Sequence, residues 1–279
     1  SGTLVVTGGR DVSTNQDFTG VMRAPSGSKV VTPLTSVMQS MIEAGETEVT
    51  AAANLANMLG YSGAVDVTSF DPVSATLDTA TASTAANVMK AAVQIQNMVT
   101  QMTALLQGAG GAGISVTDAT KAVMKALATE AANGQVVDLT SANNLTSLIN
   151  TSVKNLNRAL GGVTPVTVDT TVLNAAASVM SGVNSAMDAA LAANPSGGAA
   201  LLSSLSSVAI VAQGEAASAI NAAASGGDPS GLGGFTGAAL TGAISTAGEQ
   251  VVGVGTQGTT GNDTMTGTAD ADILHGLGG

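Results

Sequence analysis

The sequence predicts a mainly α-helical protein, in which a helical bundle follows a small N-terminal β segment and precedes the start of a C-terminal parallel β-roll. Three observations support this fold class. Residues 1–32 contain short β-prone runs, residues 33–250 show apolar side chains at helical spacing, and residues 258–279 repeat glycine and aspartate with a nine-residue period. The length of 279 residues suits one large domain or two ordinary ones.

The N-terminal segment is predicted to be extended because its apolar residues come in short runs separated by turn residues. The runs are TLVV (3–6), FTGVM (18–22) and SKVVT (28–32), and the turn sequences are GGRD and APSG. We therefore expect a small β segment over residues 1–32.

The period of the apolar residues changes at Thr32, where an N-cap residue is followed by Pro33 at the first helical position. Glycine, proline and asparagine then divide the chain into helical stretches. The predicted helices lie near 34–45, 46–59, 72 onwards, 83–107, 117–132, 141–160, 169–193, 198–224 and 236–247. The sequence GAGGAG (108–113) is predicted to be a flexible connector, and it is the point at which the bundle could be subdivided.

The predicted helix over 83–107 carries one continuous apolar stripe. Its members are spaced by 4, 3, 4, 3 and 4 residues: Val88, Ala92, Ile95, Val99, Met102 and Leu106. This spacing is compatible with a coiled-coil oligomer or with packing inside a single chain. Because the heptads run out after about three, we favour packing inside the chain.

The composition indicates how such a bundle is built. Hydrophobic residues make up 44% of the chain but aromatic residues only 1%, so the core consists of Ala, Val, Leu, Ile and Met. The absence of cysteine excludes disulfides, thiolate metal sites and cysteine nucleophiles. No apolar run of about 18 residues predicts a membrane span.

Charge is distributed unevenly along the chain. The net charge is −11, and after Arg158 eight acidic residues follow without any Lys or Arg. Such a surface is a poor partner for nucleic acid and a plausible one for divalent cations.

The C-terminal repeat has the residue types that a calcium-binding β-roll requires. The nonapeptides GTTGNDTMT (258–266) and GTADADILH (267–275) follow the pattern G-G-x-G-x-D-x-U-x, in which U is a large apolar residue. Glycine permits the tight turn of each unit, and aspartate oxygens and turn carbonyls are ligands for Ca²⁺. The candidate metal residues are Asp263, Asp272, Gly261 and Asp270. A disordered tail would match this period only by chance.

This repeat resembles that of the RTX (repeats-in-toxin) proteins, which Gram-negative bacteria export by type I secretion. The resemblance implies Ca²⁺ bound between stacked turns and a secreted or cell-surface location. Because little more than two units are present, we expect residues 258–279 to form an incomplete calcium site.

A second resemblance covers roughly the first 80 residues. The sequences GGRD (8–11), APSG (24–27), VVTPLTS (30–36) and VDVTSFDP (65–72) are similar to those of modules in very large bacterial surface and secreted proteins. The resemblance implies adhesion, biofilm-matrix or surface-layer formation, and it implies no catalytic residues.

Two aspartates in VDVTSFDP permit two interpretations. In the first, Asp66 and Asp71 ligate Ca²⁺ together with a loop carbonyl. Alternatively, Asp66 organises a turn and Asp71 caps the helix that begins at Pro72, which we favour because a calcium loop needs more oxygens at closer spacing.

Sequence features of catalysis are scarce. The single histidine, His275, occupies the variable last position of a repeat, and HExxH, GxSxG and P-loop motifs are absent. The glycine-rich GLGGFTG (231–237) follows no predicted strand, which disfavours a dinucleotide site. We therefore expect a protein that is not an enzyme.

Together these features predict a structural or adhesive segment of a secreted, calcium-dependent RTX-type surface or matrix protein. Two alternatives stay open. The helical bundle could anchor a surface layer by binding cell-envelope polysaccharide, or the chain could be the non-catalytic part of a secreted RTX enzyme. Self-association of the bundle is also open.

Overall fold

The computed structural model describes residues 2–11, 14, 16–18, 20–61, 65–161 and 165–251, and the backbone of 256–257 and 274–275. These ranges contain ten α-helices and two short strand pairs, which confirms the mainly α-helical fold and the small N-terminal β segment. The strands are β1 (Leu4–Thr7), β2 (Val21–Ala24), β3 (Thr256–Gln257) and β4 (Leu274–His275). The helices are α1 (Pro33–Glu43), α2 (Glu48–Leu59), α3 (Pro72–Leu77), α4 (Ala82–Gly110), α5 (Val116–Ala132), α6 (Ala142–Ala159), α7 (Thr170–Ala193), α8 (Gly198–Val211), α9 (Ala217–Ala224) and α10 (Gly237–Gly248).

Helix α4 is the centre of the bundle. It contacts α1, α3, α5, α7, α8 and α9. All six residues of its predicted apolar stripe are buried within the chain, from Val88 at 1% exposure to Leu106 at 0%. Packing inside a single chain therefore accounts for the stripe.

The C-terminal end of α4 differs from the prediction. Residues 108–110 are helical instead of forming a flexible connector, and only Gly111–Gly113 turn the chain into α5. A Cβ atom at Gly108 would lie 2.8 Å from the Cβ of Ala224 and even closer to the Asn221 carbonyl oxygen. Contact with α9 thus holds a glycine-rich stretch in a helix that its intrinsic propensity disfavours. Helices α4 and α5 on either side of the turn share one hydrophobic core.

The N-terminal hairpin packs on α1 through polar contacts. Strands β1 and β2 are antiparallel, and Val5 lies opposite Arg23. The Arg23 amide donates to Ser36 Oγ at 2.8 Å, and Thr35 Oγ1 donates to the Arg23 carbonyl at 3.0 Å. As predicted, Thr32 caps α1 and Pro33 occupies its first turn.

The third predicted β-prone run, SKVVT, is not a strand, so this part of the prediction is wrong. The amides of Lys29 and Val30 both donate to the carbonyl of Thr68, at 2.7 and 3.3 Å. The run therefore pairs with a loop that a local pattern cannot identify, because Thr68 is distant in sequence.

The predicted helix over 198–224 is continuous but contains one π-helical turn, Ala212–Ala216, between α8 and α9. By length and composition alone this helix could cross a membrane, with a mean hydropathy of 1.3. Just over half of its most apolar stretch, 56%, is buried against the rest of the protein. It packs lengthwise on α4 as part of the bundle core.

The C-terminal strands form a parallel pair. Thr256 lies opposite Leu274 and Gln257 opposite His275, so the partners are two nine-residue periods apart in the sequence. The rest of the predicted β-roll, residues 258–273 and 276–279, lies outside the described residues.

Candidate functional site

Asp66 organises a turn in the loop before α3. Its Oδ1 accepts hydrogen bonds from the Thr68 amide at 3.0 Å and the Thr68 hydroxyl at 2.7 Å, and its Oδ2 accepts from the Ser69 hydroxyl at 2.7 Å. The hydrogen bonds from Ser69 and then Thr68 lower the pKa of Asp66 below its usual value. Both carboxylate oxygens therefore stabilise the turn, as the structural interpretation requires.

Asp71 caps helix α3. Its Oδ1 accepts from the amides of Val73 at 3.0 Å and Ser74 at 3.3 Å, while its Oδ2 accepts from the Ser74 hydroxyl at 2.7 Å. These bonds satisfy amides that have no partner within the helix.

The other candidate metal residues, Asp263, Asp272, Gly261 and Asp270, lie outside the described residues. Within the ranges that the structure describes, no group of three or more His, Cys, Asp or Glu residues is placed to hold a metal ion. The sequence-based calcium prediction therefore rests on the repeat.

Several other aspartates also stabilise turns and helix ends. The pKa of Asp138 is lowered by hydrogen bonds from the Thr140 hydroxyl and amide, and that of Asp228 by the Ser230 hydroxyl and amide. The amides of Thr171 and Val172 lower the pKa of Asp169 at the start of α7. These shifts have a local structural cause.

The principal concave surface is a groove along one face of α4, which we call the central groove. Its second side is the helix over 198–224, and residues of the N-terminal loop between β1 and β2 form part of its wall. Gln96 and Gln213 line both halves of the groove and mark the boundary between them.

The apolar half of the central groove encloses about 500 Å³. One buried polar atom, the hydroxyl oxygen of Thr14, has no hydrogen-bond partner there. Aliphatic and methionine side chains supply most of the lining, including Met22, Val30, Val31, Val73, Met89, Val93 and Leu205.

The polar half of the central groove encloses about 340 Å³, within the roughly 300–1,000 Å³ of small-molecule sites. Five of its lining residues carry side-chain amides and four carry hydroxyls. The amides are Gln16, Gln96, Gln107, Gln213 and Asn221, and the hydroxyls are Thr100, Thr103, Thr120 and Ser218. Phe18 is the aromatic residue of this lining. Four of the ten glutamines of the chain thus meet at one site.

The π-helical turn positions two of these amides. It carries Gln213, whose Nε2 donates to Asn97 Oδ1 at 2.8 Å. Gln16 Nε2 donates to the carbonyl of Ile210, one turn earlier, at 2.9 Å. A Cβ atom at Gly214 would lie 2.8 Å from Gln16 Nε2, so glycine leaves room for this contact. Single π-helical turns inside α-helices are frequent at functional sites.

Each of the five amides is oriented by a bond from its nitrogen to the protein. Besides Gln16 and Gln213, Asn221 Nδ2 donates to the carbonyl of Ala104 at 2.8 Å. Gln96 Nε2 donates to the Thr100 hydroxyl at 3.3 Å, and Gln107 Nε2 to the Ile114 carbonyl at 3.4 Å. Each nitrogen makes one bond of this kind and has a second N–H, so the amides can offer both donors and acceptor oxygens to a ligand.

The polar half is close to electrically neutral. Its one charged lining residue is Asp17, which lies at the exposed rim with Arg10 Nη1 at 3.9 Å. Among the described residues that line this half, none is Lys or Arg. The site therefore offers neutral hydrogen-bonding groups in place of a charge.

Comparison of the chain with protein-family models, with curated proteins and with solved structures finds no match.

The central groove was not predicted from the sequence. Gln96, Thr100 and Gln107 lie on one face of α4, so polar residues at helical spacing in an apolar helix were a usable signal. Gln16 and Gln213 gave no such signal, because nearly 200 residues separate them and only the fold brings them together.

Proposed function

We propose that the chain is a non-enzymatic structural or adhesive segment of a secreted, calcium-dependent RTX-type cell-surface or matrix protein. The observation that carries this proposal is the parallel pairing of β3 with β4 at a distance of two nonapeptides. Because the separation is a whole number of periods, the pairing places equivalent positions of the repeat opposite each other, as stacked repeats require. The in-phase glycines and aspartates of residues 258–279 support the same architecture.

In this proposal the acidic repeats fold when calcium binds. At low calcium, charge repulsion and chain entropy keep the repeats unfolded, which suits export of an unfolded chain. At millimolar calcium outside the cell, Ca²⁺ neutralises the aspartates, and its binding free energy drives folding. Asp263 and Asp272 would supply carboxylate oxygens, with Gly261 and Asp270 as further candidate ligands.

The helical bundle has a mechanical role in this proposal. The hydrophobic core of the bundle includes residues from every helix from α1 to α10 except the short α3. Helix α3 contacts α4, and Val67, in the loop before α3, belongs to the same core. A bundle of this kind holds its two ends at a fixed separation, so it can anchor or space the segments attached to it. In the polysaccharide-binding alternative, the surface of this bundle would bind the glycan.

The calcium part of the proposal is tested by completing the roll. The chain is prepared as it stands and also extended after Gly279 by two nonapeptides of the pattern G-G-x-G-x-D-x-U-x, which supply a neighbouring turn. Circular dichroism then follows the β signal during calcium titration. We expect a calcium-dependent gain in the extended protein and a much smaller one in the unextended chain.

The matched control is the extended protein with Asp263→Asn and Asp272→Asn, which removes two carboxylates without changing the length of the repeat. Loss of the calcium response in this variant supports the assignment of the ligands. An extended protein that gains no β structure at millimolar calcium would refute the proposal.

A further inference from the structure

The polar half of the central groove presents hydrogen-bond acceptors without formal charge. Each of the five amide nitrogens donates one bond to the protein, which orients the amide and leaves its oxygen and a second N–H to pair with a ligand. A complementary ligand must both donate and accept several hydrogen bonds and must itself be neutral or nearly so.

We infer that the polar half of the central groove binds a neutral saccharide, as one or two sugar rings of a longer glycan. Sugar hydroxyls can donate to the amide oxygens and exchange hydrogen bonds with Thr100 and Ser218. The ring of Phe18 gives an apolar surface for the C–H face of a sugar. A volume of about 340 Å³ accommodates a ligand of this size.

Other classes of ligand fit these residues less well. Phosphate and nucleotide sites use Lys, Arg or a cluster of backbone amides, and the described lining of this half has neither Lys nor Arg. Among the described residues that line the polar half, a calcium site would find one carboxylate, that of Asp17 at the exposed rim. An aliphatic ligand would bury more apolar surface in the apolar half of the central groove, on the other side of Gln96 and Gln213.

The site is also open enough for a longer chain. Ser218 lies on the exposed side of α9, whereas Thr103 and Thr120 at the floor of the groove are buried, with their hydroxyl oxygens 3.4 Å apart. A sugar bound on this floor can therefore continue towards solvent. This inference deepens the polysaccharide-binding alternative and does not depend on calcium-driven folding of the repeats.

The test combines a glycan array, which carries neutral and acidic glycans, with nuclear magnetic resonance of the full chain. We expect at least one neutral glycan to bind. The same glycan should shift the side-chain amide signals of Gln107, Gln213 and Asn221 while leaving those of Asn133 and Gln135, which lie outside the groove, unchanged. Replacing one amide, as in Gln107→Leu or Gln213→Leu, should weaken binding about tenfold, which corresponds to the loss of one or two neutral hydrogen bonds.

The matched control is Val73→Ala, which alters the apolar half only. It should leave glycan binding within about twofold, provided that far-ultraviolet circular dichroism shows all variants folded. The amide signals keep the test decisive if a variant fails to fold, because they are recorded on the unsubstituted chain.

Three results would overturn the inference. These are the absence of binding to every neutral glycan, equal binding to neutral and acidic glycans, and binding that leaves the three groove amides unshifted. Shifts of the same amides caused by CaCl₂ alone, abolished by chelator, would assign the site to a cation instead. None of these results would bear on the calcium response of the extended repeats, so the two proposals fail separately.

Discussion

The contact between α4 and α9 and the contact between the hairpin and α1 use different kinds of interaction. At the first, a glycine in α4 lets two helices approach until Gly108 touches the backbone of α9, and aliphatic side chains surround this contact together with one hydrogen bond, from Asn221 to the Ala104 carbonyl. At the second, Arg23 bonds to Glu43 and Ser40 through its side chain and to Ser36 through its backbone. The hairpin leaves its first strand exposed, with Val5 at 58%.

This difference indicates how each part of the molecule is stabilised. The bundle depends on shape, because closely packed small side chains leave no space for additional atoms. The hairpin buries little apolar surface and depends on a few directional bonds. The loop of the hairpin forms part of the wall of the central groove, so both regions border the proposed binding site.

The largest effect is expected where a side chain is added at the α4–α9 contact. Gly108→Ala should destabilise the protein by about 2–3 kcal/mol, because the new methyl group would overlap the Asn221 carbonyl and lie 2.8 Å from the Cβ of Ala224. Gly242→Ala is the control, since this helical glycine has no atom within 4 Å of the added Cβ. It should be neutral or stabilising by up to about 1 kcal/mol. Urea unfolding measures the stability of both variants. Equal changes in stability would contradict the close packing inferred at Gly108.

A smaller loss is expected from the hairpin contact. Arg23→Met removes hydrogen bonds to Glu43 at 2.6 and 2.7 Å and one to Ser40 at 2.9 Å. We expect a cost of about 1–2 kcal/mol, because the Arg23 side chain is only 15% exposed. Amide hydrogen exchange should accelerate in β1 and β2 more than in α4. The exposed Lys154→Met serves as control and should change stability by less than about 0.5 kcal/mol.

A gain in stability is expected inside the bundle. Gln101 is fully buried, and among the described residues neither polar atom of its side chain has a hydrogen-bond partner. Gln101→Met should therefore raise the free energy of unfolding by about 1 kcal/mol. Gln94→Met, one heptad earlier, should lower it by a similar amount, because Gln94 Nε2 donates to the Asn184 carbonyl and to Asp188. Thermal melts that shift in the same direction for both variants would refute this distinction.

The smallest effect concerns the pH dependence of the hairpin contact. Partial burial raises the pKa of Glu43, but hydrogen bonds from Arg23 and Gln39 and the charge of Arg23 outweigh it, so the pKa lies below 4.5. The contribution of the ionised Glu43 side chain to the free energy of unfolding is thus present above the unfolded-state pKa. It is lost as the pH falls through the folded-state pKa. Because Glu43 is 47% exposed, we expect less than about 1 kcal/mol.

The measurement compares the unsubstituted protein with Glu43→Gln by urea unfolding at pH 7 and pH 3. The difference in stability should be larger at pH 7 than at pH 3. A difference in stability that grows on acidification would show that the pKa of Glu43 is raised in the folded protein instead of lowered.

Most helices were predictable from the sequence because their limits are set locally. Thr32 and Asp71 cap α1 and α3 as predicted, and Gly60, with a φ of 69°, ends α2. The predicted role of Asp66 in a turn was likewise accessible, since its hydrogen-bond partners follow within three residues. For features of this kind, the decisive contacts lie within one turn of the chain.

The sequence by itself therefore determined the helical bundle, its caps and the nine-residue period at the C-terminal end. Only the tertiary structure decided that Gly108 is helical, that Lys29 and Val30 pair with a distant loop, and that four glutamines meet in one groove. The physical reason is the range of the interactions. Caps and apolar stripes act between residues a few positions apart, whereas the groove exists only after the helix over 198–224 and the N-terminal loop have packed on α4.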